Sequence, residues 1–246
     1  MKLLPDFLAR TPKQWTRRDV LKLSAASVTT LGLGVLGYGC AVRQSVEISR
    51  VEVKIPNLPS AFDSLTIAHL TDIHHGIYTG VEYIDRCVQI VNELKPDLIA
   101  LTGDFTYGGK RYVEPCAEAL SGLRARVGMY AVLGNHDYYV GASSVAVALK
   151  QAGCTVMIDQ LDRLELRGDR LWLAGVDDFY YGTTDLRRLL RDVPRDAARV
   201  VLSHNPDFIE EFAAKNQHAD LMISGHTHGG QIRFPWAGAP HIVSPY

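Results

Sequence analysis

The chain has 246 residues and a formal net charge of −1, with 47% hydrophobic and 22% charged residues. That composition describes a foldable globular protein and argues against a disordered chain. No Lys/Arg-rich block follows residue 18, so nucleic-acid binding through a basic surface is not expected. The cysteines Cys40, Cys87, Cys116 and Cys154 form no C-x-x-C pair, which argues against a thiolate zinc site or a thioredoxin-like redox motif.

The N-terminus reads as an address. A basic, polar stretch with Lys2, Arg10 and Lys13 runs into Thr16-Arg17-Arg18-Asp19-Val20-Leu21-Lys22, and residues 23–42 then carry no charge. A positive region, an apolar run and a small-residue end make a secretory signal. The paired arginines, with Leu21 and Lys22 at the expected offset, resemble a twin-arginine leader, although Val20 stands where that leader prefers Phe. The competing reading is an ordinary amphipathic first helix, but 23–42 has no polar face to present. About 20 apolar residues can also span a bilayer, so cleavage and retention as an anchor both stay open. Cys40 resembles a lipoprotein site, with Gly37 in place of the usual Leu. Any of these outcomes exports the domain or anchors it on the extracytoplasmic side.

Beyond the leader, strands alternate with helices. Residues 46–55 alternate as a half-buried strand, and 65–70 form a short strand. Helical spacing of Val81, Ile84, Val88, Val91 and Leu94 predicts a helix stopped by Pro96. Strands are expected over 97–102 and 127–133, with a helix over 112–126 that tolerates Pro115 only in its first turn. A short helix over 145–151 precedes strands at 155–158, 161–166 and 171–176. Helices at 185–192 and 207–215 flank a strand at 200–203, and a last strand covers 220–224. Such alternation favours an α/β architecture with buried sheets.

Polar clusters follow the carboxyl ends of these strands: Asp72-x-His74, Gly103-Asp104, Gly134-Asn135-His136-Asp137, Ser203-His204-Asn205-Pro206 and Gly225-His226-Thr227-His228. Ligands of α/β sheets bind there, because loops from several strands converge on a rigid platform. Each cluster alone fits a cap, a turn or a core histidine. Together they offer imidazoles, carboxylates and one amide oxygen, a donor set suited to Mn, Fe or Zn with positions open for water and substrate.

In this order the clusters resemble the calcineurin-like metallophosphoesterase superfamily, whose pattern is D-x-H, G-D, G-N-H-[DE], a lone His, then G-H-x-H. The resemblance covers residues 65–231. Gly-His-Thr-His-Gly-Gly-Gln and the leader look most like its exported or membrane-associated bacterial branch. It implies an α/β fold of two packed mixed β-sheets flanked by helices, an αββα sandwich. It further implies two divalent metal ions, one held by Asp72, His74, Asp104 and His228, the other by Asp104, Asn135, His204 and His226. Hydrolysis of a phosphodiester or monoester through a metal-bridging hydroxide is the implied activity. His136 is expected to act toward the leaving group as general acid or as a hydrogen-bond donor to the transition state, with Asp137 orienting it or bracing a ligand histidine; the competing reading makes Asp137 a simple turn acid. Gly229 and Gly230 are expected to let backbone approach the metals closely.

The implied division is a signal or anchor segment over 1–42 and a metallophosphoesterase catalytic domain over 43–246. In the family further strands follow G-H-x-H, whereas only 231–246 remain here, so the sandwich reads as incomplete at its C-terminus. The expected partner is a phosphate-ester substrate, with membrane or lipid contact suggested by the leader and no specific nucleic-acid binding. A membrane-surface hydrolase of lipid-linked or nucleotide-sugar pyrophosphates is the alternative, and a non-catalytic metal-binding scaffold is a further one. His75 is open between lining the cleft and solvation, and Asp177-Asp178 between substrate contact and a turn. His69 is expected in the core, His218 and His241 on the surface.

Overall fold

The computed structural model describes residues 16–42, 45–230, 238–239 and 244. Lys2, Arg10, Lys13, Gln231 and His241 lie outside the described residues, as does the side chain of Cys40. The chain divides into two compact units, residues 1–50 and 51–246. The first contains helix α1 (Arg17–Val42), where Thr29 and Thr30 return their hydroxyls to the carbonyls of Ala25 and Ala26. No helix of the described residues is long and apolar enough to cross a membrane.

Among the described residues, the second unit holds two four-stranded sheets. The first runs β1 (Ile67–Leu70), β2 (Leu98–Thr102), β3 (Gly128–Val132), β4 (Thr155–Val156), with every neighbouring pair parallel. The second runs β5 (Gln160–Leu166), β6 (Asp169–Gly175), β7 (Arg199–Leu202), β8 (Leu221–Ile223). Its first pair is an antiparallel hairpin and the rest are parallel. Helices α2 (Val81–Leu94), α3 (Val113–Leu120), α4 (Asn135–Val140) and α5 (Ala142–Gln151) belong to the first half, α6 (Leu186–Leu189) and α7 (Phe208–Ala214) to the second.

Side-chain alternation builds the layers. In β2, Leu98 and Ala100 face a core shared with Val132, Leu164, Leu173 and Leu202, which lies between the two sheets. Ile99 and Leu101 point the other way, into Ile84, Val88, Cys116, Leu120 and Leu149 of the covering helices. On the far side, Ala174 and Val201 pack against Leu186, Phe208 and Phe212. The order is therefore helices, sheet, sheet, helices. Because β1, β2, β3, β6, β7 and β8 are joined by parallel pairings within each sheet, each sheet's carboxyl strand ends gather on one edge.

Four local expectations are corrected. Among the described residues the first sheet is wholly parallel rather than mixed. Residues 46–55 form no strand, and Ile48, Val51 and Val53 stay exposed. Their alternation slips by one residue at Arg50-Val51, which throws the apolar side chains to opposite faces. The helix expected over 112–126 ends at Leu120, beyond which Ser121-Gly122 turn the chain. His69 is exposed on the edge strand β1, where its Nε2 pairs with Thr102 Oγ1 at 2.7 Å.

Candidate metal centre

Parallel pairing continues past the strand ends as a backbone ladder. Asp72 N–H donates to the Gly103 carbonyl at 3.0 Å and His74 N–H to the Asp104 carbonyl at 2.9 Å, so the first two loops are stitched together. In the other sheet, Gly225 N–H reaches the His204 carbonyl at 2.9 Å. Between the sheets, His226 N–H donates to Asp72 Oδ2 at 2.9 Å. Two glycines permit this closeness. A Cβ on Gly134 would lie 2.3 Å from Asp104 Oδ1, and one on Gly225 only 1.9 Å from Thr71 Oγ1. Gly229, expected to serve in this way, faces open space; its φ of +62° is what favours glycine there.

All seven residues expected as ligands are brought together. His228 Nε2 lies 3.4 Å from Asp72 Oδ1 and 3.2 Å from His74 Nε2. One oxygen of Asp104, Oδ2, faces both His74 Nε2 at 3.6 Å and His204 Nε2 at 3.3 Å. His204 Nε2 also lies 3.2 Å from Asn135 Oδ1 and 3.1 Å from His226 Nδ1. Among the described residues, three groupings have donor atoms within 4.8 Å of one another: Asp72–His74–His228, Asp104–His204–His226, and His74–Asp104–His136. The last includes His136, which was expected to remain outside the ligand set.

The donors fit cations. His204 Nδ1 donates to the Thr102 carbonyl at 2.7 Å, which orients the ring and turns Nε2 to the cluster. Asp72 Oδ1 and His226 Nε2 are buried without a hydrogen-bond partner among the described residues, a destabilising state that a bound cation relieves. Five of the seven donors adopt left-handed backbone: Asp72, His74, Asp104, His226 and His228, with φ between 48° and 69°. Such strain concentrates at functional sites.

Electrostatics divide the histidines. Burial alone lowers His204, but the Asp104 carboxylate outweighs it and holds the imidazole up at about 9. Burial pushes His74 down to about 4; Asp104 opposes that, while His136 and His228 reinforce it. Burial would raise Asp104, yet its contacts with His204, the His136 N–H and His74 keep it below the ordinary carboxylate range.

His136 is half-buried at the mouth, its backbone N–H on Asp104 Oδ1 at 2.9 Å and its ring edge-on to His74 at 4.8 Å. Asp137 follows the turn-acid reading and departs from the other two. It is completely buried, and its carboxylate accepts the backbone N–H groups of Gly134 and Asp104, both at 2.9 Å, and of Phe105 at 3.0 Å. It braces the Asp104 loop rather than His136 or a ligand histidine. His75 is likewise structural: buried, with Nδ1 on the Thr79 carbonyl at 2.8 Å. Asp178 caps a turn, Oδ1 accepting from Tyr180 and Tyr181.

Sequence reasoning passed over the aromatic residues at the mouth. Tyr107 and Tyr139 flank His136 at 5.3 and 5.5 Å, and Tyr180 stands 5.9 Å from His226. The available signal was position: each follows a polar strand-end cluster within a few residues.

A sequence profile of the calcineurin-like phosphoesterase family matches residues 65–230, the segment that carries every one of these donors. A Bos taurus protein named transmembrane protein with metallophosphoesterase domain is 32% identical over 245 residues, covering 94% of this chain and 55% of its own length. YkuE of Bacillus subtilis (strain 168), an uncharacterized metallophosphoesterase, is 32% identical over 249 residues, covering 95% of this chain and 84% of its own. Phosphodiesterase YaeI of Escherichia coli (strain K12) is 30% identical over 233 residues, covering 92% and 82%. The chain spans about half the length of the animal relatives it matches. With the profile running from β1 to the end of the last histidine cluster, the chain belongs to the calcineurin-like phosphoesterase family.

Proposed function

We propose that this protein is a dinuclear-metal phosphoesterase that hydrolyses phosphodiesters. Asp72, His74, Asp104 and His228 hold one divalent ion; Asp104, Asn135, His204 and His226 hold the other. The observation that carries this reading is Asp104 Oδ2, which faces a histidine of each set at 3.6 and 3.3 Å. The nitrogen and oxygen donors suit Mn, Fe or Zn. When bound, such ions supply Lewis-acid charge to the phosphoryl oxygens and acidify water.

The chain's own residues do the rest. Asp137 fixes the Asp104 loop through three backbone N–H groups, and Thr102 sets the His204 ring. His136 stands at the open side of the cluster, and its ring gives a proton to the departing oxygen as the phosphorus–oxygen bond breaks. The twin-arginine-like stretch around Arg17 and Arg18 supports export, and the apolar run behind it supports work at the membrane face on the extracytoplasmic side. Arg17→Lys with Arg18→Lys should retain the protein in the cytoplasm by cell fractionation; unchanged export would sink that part of the reading.

The test is turnover of bis(p-nitrophenyl) phosphate and p-nitrophenyl phosphate by the full chain loaded with Mn²⁺. Diester cleavage that chelator abolishes and Asn135→Ala removes is the expected result. A folded, Mn-loaded protein that cleaves neither ester would refute the assignment.

A further inference from the structure

Four tyrosines stand around the metal centre with much of their rings in solvent: Tyr107 is 47% exposed, Tyr139 67%, Tyr180 56% and Tyr181 45%. Single exposed aromatic residues are ordinary, but a contiguous set marks a binding surface. Here three of the four, with His136 between two of them, form a continuous run that leads from the candidate ligands outward. Tyr107 lies 6.0 Å from His74 and 5.3 Å from His136, His136 is 5.5 Å from Tyr139, and Tyr139 is 5.5 Å from Tyr181.

The arrangement is anchored from beneath. Buried Asp178 accepts the backbone N–H groups of Tyr180 and Tyr181 at 2.9 and 3.0 Å, which sets the turn after β6. Tyr138, beside Tyr139 on α4, donates its hydroxyl to Asp177 and stacks on Tyr181 with ring centroids 5.3 Å apart. Two separate segments are thereby locked to each other at the point where their rings meet.

Tyrosine gives a large contact area for little lost side-chain freedom. Its ring also favours stacked or edge-on partners beyond what burial alone supplies. We propose that Tyr107, Tyr139 and Tyr181 form a subsite for a planar ring, a nucleobase or aryl group, carried by the substrate on the side of His136. The proposal rests on the phosphoesterase reading and names the substrate class that this site selects.

The test compares AMP with ribose 5-phosphate, which differ only in the base, by calorimetric titration of the Mn-loaded full chain. Stacking on aromatic side chains predicts AMP bound about tenfold tighter or more. Tyr139→Ala and Tyr181→Ala should bring the two affinities together, while Tyr139→Phe and Tyr181→Phe keep them apart. Hexyl phosphate serves as the flexible apolar control. Equal affinities in the unaltered protein, or a preference that survives both alanine variants, would overturn the subsite. So would a hexyl phosphate advantage equal to that of AMP and lost in the same variants, because the wall would then be merely apolar. Bis(p-nitrophenyl) phosphate turnover on the same preparation separates the two levels. Metal-dependent turnover without an AMP preference sinks the subsite alone, whereas absent turnover with no ribose 5-phosphate binding sinks both.

Discussion

Replacing Asp137 by alanine is the sharpest probe of how the metal centre is held. Its carboxylate is completely buried and accepts three backbone N–H groups, from Gly134, Asp104 and Phe105. Each orphaned buried donor costs about 1–3 kcal/mol. The three share one acceptor group, so they relax together, and the loss is partly offset. Burial already pushes this carboxyl up to about 7, against the opposing backbone N–H groups, and the alanine variant no longer buries it. A net destabilisation of roughly 3–5 kcal/mol follows, a large share of the ~5–15 kcal/mol that holds a typical domain folded. At ~2–4 °C per kcal/mol for a domain of this size, the melting temperature should fall by roughly 6–20 °C in that approximation. Asp137→Asn should lose less. Its one remaining oxygen can serve Gly134 and Asp104, but its amide then faces the Phe105 N–H, donor against donor. Circular-dichroism melts of the full chain measure the stability, and calorimetric titration with Mn²⁺ measures the site. Because the Asp104 loop loses its brace, Mn²⁺ affinity should drop by roughly 10–100-fold, the usual effect of losing an outer-sphere partner. An alanine variant that melts within about 2 °C of the parent, with metal affinity intact and only turnover impaired, would refute the brace. It would return Asp137 to a role in orienting His136.

His136→Ala should lower kcat by about 10²–10⁴-fold while Mn²⁺ bound per chain stays constant. The loss should be smaller for a p-nitrophenolate leaving group than for an alkoxide. Loss of bound metal instead would show His136 to be a ligand, as its nearness to His74 and Asp104 allows. Gly225→Ala would put a Cβ 2.4 Å from Asp72 Oδ2 as well as against Thr71. That overpacking costs about 1–3 kcal/mol and displaces the His226 N–H from Asp72. A lower melting temperature and weaker Mn²⁺ binding should appear together, and an unchanged melt would show that the two loops can part freely.

Most of the fold's skeleton is legible in the sequence because apolar runs with clear ends encode buried parallel strands. The five residues of β2 are all buried, and the helical spacing that begins at Val81 and stops before Pro96 is realised as Val81–Leu94. The polar clusters are legible for the same reason: they begin where those runs stop. What could not be read depends on tertiary partners. Residues 46–55 have a strand-like composition, but pairing needs a neighbour that composition does not name. Asn135–Val140 looks like a loop motif and is a helix, closed at its start by Asp137 accepting the Gly134 N–H. The bracing role of Asp137 rests on Asp104 and Phe105, adjacent residues of one loop 33 and 32 positions away in the chain, and no local pattern announces it. Tyr181 meets α4 only because β6 and β3 end near one another in space, with a Cβ on Gly175 lying 3.0 Å from Val132 Cγ1.

The division of the donors between the sheets sets an order on biosynthesis. Asp72, His74, Asp104 and Asn135 all come from the first sheet, and His204, His226 and His228 from the second. Each proposed ion takes donors from both. A ribosome-bound chain that has completed only the first sheet carries two half-sites, each missing one or more histidines encoded far downstream. On the proposed ligand sets, cation capture would thus be the final event of assembly, reporting that the two layers have met in register. On the proposed export of an already folded chain, a filled centre would certify that the cargo is finished.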